Sequence, residues 1–466
     1  MIALGVRVSP VAVGAAVLTV AAAIGAAQTP LILAALAGLL VLVLACAFKS
    51  SWWNLVPATA LVVTPQVLND DPATPIPNAD AAQKAVLILA LIGLLLTLGS
   101  RFSVIGSVAL AVIGLSGVAA VLDAGGAVAI GGGGIARSAV GFALPWLFLF
   151  VDWPTLGLAR GLTFLAALPA ICLIVGLVLT AAGISPVIVR EWGGALRLQG
   201  SAVPAHLAML AFVGLVAGLV TLVTATGTVR WWAYAVPAFN MMILLGTATR
   251  GAITAAAVVV VTFVISVLRS RSSTGPGKTA AWLLLAAGVV GGVAAGGQIM
   301  LRNQGNSYEG SFNTSGRDQA WQFFYDAAMA NPVTGRGLGF SSIAVETLKP
   351  RDVQSAFIAP HNQYLHLFVD GGVFLAVGIF GSLAAAIIWA AVSLSGTGRA
   401  IILAFGAGVA FYSFIDNTLA APQFSVATMI LLGLIGTCAR DGGAVVGVHA
   451  RPRSSQPHPP RTLIGS

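Results

Sequence analysis

Between Leu301 and Asp370 the chain gathers Arg317, Arg336, Lys349, Arg351, His361, His366 and Asp370 into the one long polar stretch of a sequence that is otherwise nearly all hydrocarbon. A guanidinium is a permanently charged planar fork that fits phosphate oxygens, and an imidazole near neutral pH can take a proton from a hydroxyl. Those side chains together suit a phosphorylated substrate and an attacking alcohol. From Ser315, the run SGRDQAWQFFYDAAMANP predicts a helix that opens on a capping box of Ser315 with Asp318 and stops at Asn331-Pro332. Its spacing puts Arg317, Trp321, Phe324 and Ala328 on one face and Asp318, Gln322 and Asp326 on another. A guanidinium on the packed face needs an anion, either a phosphate or the carboxylate of a plain salt bridge.

The segment Thr334 to Gly339, TGRGLG, has alternating glycines that can expose amides as an anion nest, and Arg336 there binds phosphate or meets water and headgroups. His361 stands where the loop re-enters a helix, as a proton acceptor for a sugar hydroxyl or as a hydrogen-bonded interfacial anchor. His366 and Asp370 are one helical turn apart and can pair with each other. Arg250 interrupts an apolar region from Trp231 to Leu268 and falls at a turn between two helices, a costly place for a charge without a function. Asp416 and Asn417 sit at the last such turn, where they can orient an acceptor or pair with an arginine.

The elements that must hold these residues are membrane helices. Of 466 residues 58% are hydrophobic and only 8% charged, and mean hydropathy is +0.97. Those values lie far from soluble domains, and the long Ala, Val, Leu and Gly runs read as helices, not barrel strands. The fold class expected is all-α, a polytopic transmembrane bundle of about 12–14 helices with one large extracytoplasmic loop that contains short helices. Fourteen candidates centre near residues 18, 40, 60, 92, 112, 145, 171, 215, 240, 260, 290, 383, 407 and 430. Four regions follow: helices over 1–300, the loop over 301–370, helices over 371–440, and a disordered basic tail over 441–466. Arg7 and the apolar run after it resemble a signal peptide, read here as a retained first helix.

With the amino terminus in the cytoplasm, the inner segments take 13 of the 23 Lys and Arg and only 2 of the 14 acids. The large loop then faces outward and both termini inward. The formal charge of +9 is scattered singly between apolar runs, so it reports topology and membrane lipid, not nucleic acid. Cys46, Cys172 and Cys438 all lie in apolar runs and predict packing, not a disulfide or thiolate metal site. No cluster has metal-ligand spacing, and no cofactor is expected. No fixed-period repeat appears, nor paired interrupted helices of the transporter kind.

Over roughly the carboxy-terminal 270 residues the chain resembles the O-antigen ligase and O-antigen polymerase superfamily of bacterial membrane glycosyltransferases. The resemblance rests on RLQGSAVPAHLA at Arg197 to Ala208, TATRG at Thr247 to Gly251, Arg317 with Trp321, NPVTGRGLGF at Asn331 to Phe340 and PHNQYL at Pro360 to Leu365. His206 stands where the family often has Asn, Thr249 where it has Ser, and Asp370 where it often has Glu. The resemblance implies metal-independent transfer of a glycan from a polyprenyl diphosphate carrier to a hydroxyl of a glycan, lipid or protein acceptor at a bacterial inner membrane. His361 would be the base; Arg250, Arg317, Arg197 and Arg336 would hold the diphosphate; Asn362, Tyr364, Asp370 and Asp416 would support. Three rival readings stand beside it. One is a polyprenyl-phosphate sugar transferase using Asp70 and Asp71, a pair that also suits an ordinary turn before Pro72. The others are a glycolipid flippase or exporter and a non-catalytic scaffold.

Overall fold

A backbone in hydrocarbon has no water to bond, so each spanning segment must pair its own N–H and C=O groups. The computed structural model describes residues 60–64, 79–122, 124–191, 194–225, 231–269, 275–305, 317–348 and 359–441. Its helices are α1 Ala79–Leu98, α2 Val104–Leu122, α3 Ala124–Leu147, α4 Leu158–Ala181, α5 Pro204–Thr224, α6 Trp231–Gly246, α7 Arg250–Arg269 and α8 Gly275–Gly305. Then come α9 Arg317–Met329 and α10 Phe340–Leu348 in the large loop, and α11 Gln363–Val392, α12 Gly396–Ile415 and α13 Pro422–Asp441. A two-stranded antiparallel hairpin, β1 Ile188–Arg190 with β2 Leu196–Leu198, joins α4 to α5.

Among the described residues nine helices are long and apolar enough to cross a membrane, and two shorter apolar ones accompany them. The protein is thus a multi-pass helical membrane protein. The eleven candidates from residue 92 onward are all present, and so are short helices in the loop. The candidates near 18 and 40, the segment with Asp70 and Asp71, Cys46 and the tail lie outside the described residues; of the one near 60, only 60–64 is described.

Short connections make successive spans antiparallel. One end of the bundle therefore collects the starts of α1, α5, α7, α11 and α13, the end of α12, the hairpin and the loop helices. Arg101, Arg160, Arg269, Lys278 and Arg399 all fall at the opposite end. Central α5 and α13 are buried along most of their lengths, while α8 is largely exposed. Small residues let the helices approach closely where lipid cannot drive them together. A Cβ on Gly251 would lie 2.6 Å from Ile415 and 2.8 Å from Tyr412, and one on Gly408 would lie 2.9 Å from the Ala255 carbonyl. That packing brings the start of α7, with Arg250, beside the end of α12, with Asp416.

Helix α11 is two helices joined at a corner. Gly371 and Gly372 leave helical geometry, Gly372 with φ of 64°. Straight helix would set Tyr364 and Phe380 about 24 Å apart, yet their rings stack at 4.2 Å. A Cβ on Gly372 would lie 2.2 Å from the Val333 carbonyl, and Val373 donates its N–H to Pro332. The glycines thus let the 331–337 turn lie directly on the corner. From Val373 onward, 20 residues remain, about 30 Å of helix and one hydrocarbon thickness. The segment before the corner is free to carry the site.

Candidate active site

At the convergent end of the bundle lies a cleft of about 260 Å³ whose lining includes Gln83, His206, His361, Asp416, Asn417 and Gln423. Each comes from a helix terminus: α1, α5, the residue before the α11 cap, the two after α12, and α13. His361 precedes the N-cap Asn362, whose side chain accepts from the N–H groups of Tyr364 and Leu365 at 3.0 and 3.2 Å. The Asn362 N–H in turn donates to Asn417 Oδ1 at 3.1 Å. Fixed on one side by that cap and on the other by Trp321 Nε1, which donates to the Pro360 carbonyl at 2.9 Å, His361 adopts a φ of 46°. Left-handed backbone costs a non-glycine residue about 1–2 kcal/mol, so its neighbours determine its pose.

Behind the imidazole, Nδ1 lies 3.7 Å from Asp416 Oδ1. Burial by itself would raise the Asp416 carboxyl, but the facing His361 imidazole, the donated N–H of Asn417 and the charge of Arg317 outweigh it and hold the carboxyl below its ordinary value. Asp416 is therefore an anion at neutral pH. Arg317, first residue of α9, donates Nη1 to the Ile415 carbonyl at 2.7 Å. It caps the orphan carbonyl end of α12, where a cation is favoured, and sits within electrostatic reach of Asp416.

On helix α9 the expected packed face has Phe324 and Ala328 buried and Arg317 and Trp321 half-buried, while Gln322 and Asp326 of the other face are exposed and bonded to each other at 2.9 Å. Ser315 and the Asp318 side chain lie outside what is described. Tyr364 hydroxyl donates to the Ala410 carbonyl at 3.0 Å, which ties the first segment of α11 to α12.

Two further arginines have protein partners of their own. Arg197 is buried in β2; it bonds Glu191, donates Nε to the Thr247 carbonyl at 2.7 Å and Nη2 to Thr249 Oγ1 at 2.9 Å. Its guanidinium thus holds the α6–α7 turn, in which Ala248 has a φ of 49° and which delivers Arg250 as first residue of α7. Arg336 lies over the Phe340 ring at 4.9 Å, on a turn bonded to Val369 and Asp370, the far end of the α11 first segment from His361.

The anion-nest reading of TGRGLG is corrected by the same bonds. Arg336 and Gly337 donate their N–H groups to the carbonyls of Val369 and Asp370, and Gly339 donates to Asp370 Oδ2 at 3.0 Å. The amides clamp the corner of α11. Asp370, fully buried, also accepts from the Ser341 N–H at 2.8 Å and so caps α10. His366 Nε2 lies 3.5 Å from Asp370, as its spacing suggests.

Gln83 and Gln423 were not singled out by the sequence. Each is a polar residue in the first turn of an apolar helix, Gln423 directly after Pro422, and that is the signal that could have found them. Among the described residues no three His, Cys, Asp or Glu side chains are grouped to hold a metal ion. Cys172 is buried and its thiol faces the Val62 carbonyl at 3.6 Å, consistent with packing.

Fold and cleft define a polytopic membrane protein with a titratable pair and adjacent arginines at one end of its bundle. Residues 233–380 match the family model described as O-antigen ligase. The matched stretch runs from α6 through the corner of α11 and contains Arg250, Arg317, Arg336 and His361, while Arg197 and Asp416 lie outside it. That is 148 of the 466 residues, and over that stretch the chain is similar to the O-antigen ligase family. No curated protein matches the chain.

Proposed function

We propose that the protein transfers a glycan from a polyprenyl diphosphate carrier to an acceptor hydroxyl on the outer face of a bacterial cytoplasmic membrane, with both termini in the cytoplasm. The observation that carries this reading is His361, held in a fixed pose at the mouth of a cleft with Asp416 behind it and Arg317 docked on the same helix end. Excess of basic residues at the opposite end supports the orientation.

His361 Nε2 accepts the proton of the acceptor hydroxyl while its other nitrogen faces Asp416, whose charge stabilises the imidazolium as it forms. The acceptor oxygen bonds to the anomeric carbon, the bond from that carbon to the diphosphate oxygen breaks, and its electron pair leaves with the diphosphate. Displacement in line inverts the carbon. Arg317 and Arg250 stabilise the growing negative charge, worth about 3–4 kcal/mol where one positioned donor is concerned. Arg197 positions the turn that carries Arg250, and Asn362, Tyr364 and Asp370 hold the two ends of the α11 first segment. The chemistry as written uses no metal. Membrane lipid surrounds the donor chain; the acceptor is a glycan, lipid or protein hydroxyl.

The test is transfer from a synthetic polyprenyl diphosphate glycan by purified protein in chelator, comparing wild type with His361→Ala, Arg317→Ala and Asp70→Ala. Loss in the first two with retention in the third supports the reading. Consumption by His361→Ala at the wild-type rate removes it, and so does transbilayer movement of labelled glycolipid with no bond cleaved.

A further inference from the structure

The cleft holds polar groups that the proposed chemistry does not use. Gln423 is fully buried at the start of α13, and neither its amide nitrogen nor its amide oxygen has a hydrogen-bond partner. His206, in the first turn of α5 and on the same lining, has a buried Nδ1 that also lacks one. A buried polar group left unbonded costs about 1–3 kcal/mol, and native proteins rarely tolerate several together. Three such atoms on residues that line one cleft with His361 are a cost that a bound ligand removes. Nearby, Gln363 Oε1 accepts from the N–H groups of Leu419 and Ala420 at 2.9 and 3.1 Å, fixing the turn that forms the adjoining wall.

The chemistry of the lining selects the ligand. Among the described residues it includes no Lys or Arg, and it carries the Asp416 carboxylate, so an anion is disfavoured there. An amide side chain offers one acceptor oxygen and two donor hydrogens. It pairs best with a neutral group that presents a donor and an acceptor side by side. Apolar lining from Met209, Ala205 and Ala421 suits a ring face. A cleft of about 260 Å³ has room for a sugar ring.

We propose that Gln423, with His206, is a specificity-determining residue that reads a neutral acceptor sugar ring carrying a paired donor and acceptor, such as an acetamido group, and sets its free hydroxyl against His361. This deepens the transferase reading and rests on it for the role of that hydroxyl. It makes the cleft the acceptor side of the reaction, with the diphosphate outside it toward Arg317 and Arg250.

Direct binding separates this proposal from the reaction itself. Saturation-transfer NMR on full-length protein in detergent would compare the methyl glycosides of N-acetylglucosamine and glucose, on wild type, Gln423→Leu and Gln423→Asn. The expectation is contact with the acetamido sugar in wild type, at least tenfold weaker contact in Gln423→Leu, and partial recovery in Gln423→Asn. Gln423→Leu should also raise the melting temperature, since it removes an unbonded buried amide. Where transfer is measurable, the acceptor KM rises while the donor KM stays. Equal binding by wild type and Gln423→Leu overturns the proposal, as does no binding of either sugar by wild type. A stable Gln423→Leu protein with unchanged acceptor KM also overturns it. Selective sugar binding by a wild type that never consumes donor supports the pocket and overturns the transferase reading instead.

Discussion

Asp416→Asn is the sharpest probe of the histidine, because it removes a charge and little else. Asparagine keeps the volume and can still accept the Asn417 N–H through its carbonyl oxygen. What disappears is an anion 3.7 Å from the imidazole. At that distance two unit charges interact by about 1 kcal/mol in water and about 4–5 kcal/mol at an effective dielectric constant near 20. The His361 side chain is 39% exposed and Asp416 19% exposed, so solvent screening pulls the value toward the lower bound, about 1–2 kcal/mol. The imidazolium exists only once the acceptor proton has moved, so the loss appears in the barrier. A rate reduction of about 5- to 30-fold is expected, against about 10²–10⁴ for His361→Ala.

The pH profile adds a second reading of the same pair. A carboxyl held below its ordinary value contributes stability above that value and loses it only as pH falls through the lowered one. Asp416 therefore stays ionised between pH 5 and 8. Any change of activity in that window is then not a change in the charge of Asp416. Single-turnover transfer from saturating donor, on protein whose melting temperature is within a few degrees of wild type, gives the rate. A wild-type rate in Asp416→Asn would refute the coupling of the two residues.

Other expectations concern the scaffold. Gly372→Ala combines left-handed backbone with overlap against the Val333 carbonyl, so it should cost about 3–5 kcal/mol and lower the melting temperature more than any other alanine at the corner. Asp370→Ala strips a charged acceptor from the N–H groups of Gly339 and Ser341; a loss of about 3 kcal/mol is expected, with hydrogen exchange rising first in α10. Arg197→Ala leaves Glu191 and the Thr247–Thr249 turn without their shared partner. A loss of about 2–3 kcal/mol is expected, below a fully buried pair because water reaches Glu191, and donor KM should rise even in Arg197→Lys, which cannot span three acceptors. A melting temperature unchanged in that alanine variant would show that the hairpin does not hold the turn.

Composition and periodicity determined the class of this protein, because hydrocarbon length and backbone satisfaction admit few alternatives. Helices from residue 92 onward, the exposed and buried faces of α9, and the placement of Arg250 at an interhelical turn were all legible locally. The site was legible as a list of residue types concentrated near one end. Which of those residues meet was not. Arg197 and Arg336 look equivalent to Arg317 in sequence, and only packing binds the first to a turn and seats the second on Phe340. The glycines of TGRGLG permit an anion nest or a clamp, and the clamp formed because Val369 and Asp370, 33 positions after Arg336 and Gly337, supply the carbonyls. Asp416 lies 55 positions from His361, and Gln423 and His206 come from opposite halves of the chain. Residues that far apart are brought together by close contacts between helices, which a local pattern does not encode. The orphaned amide of Gln423 is the clearest case, since an unpaired group is defined only by what surrounds it.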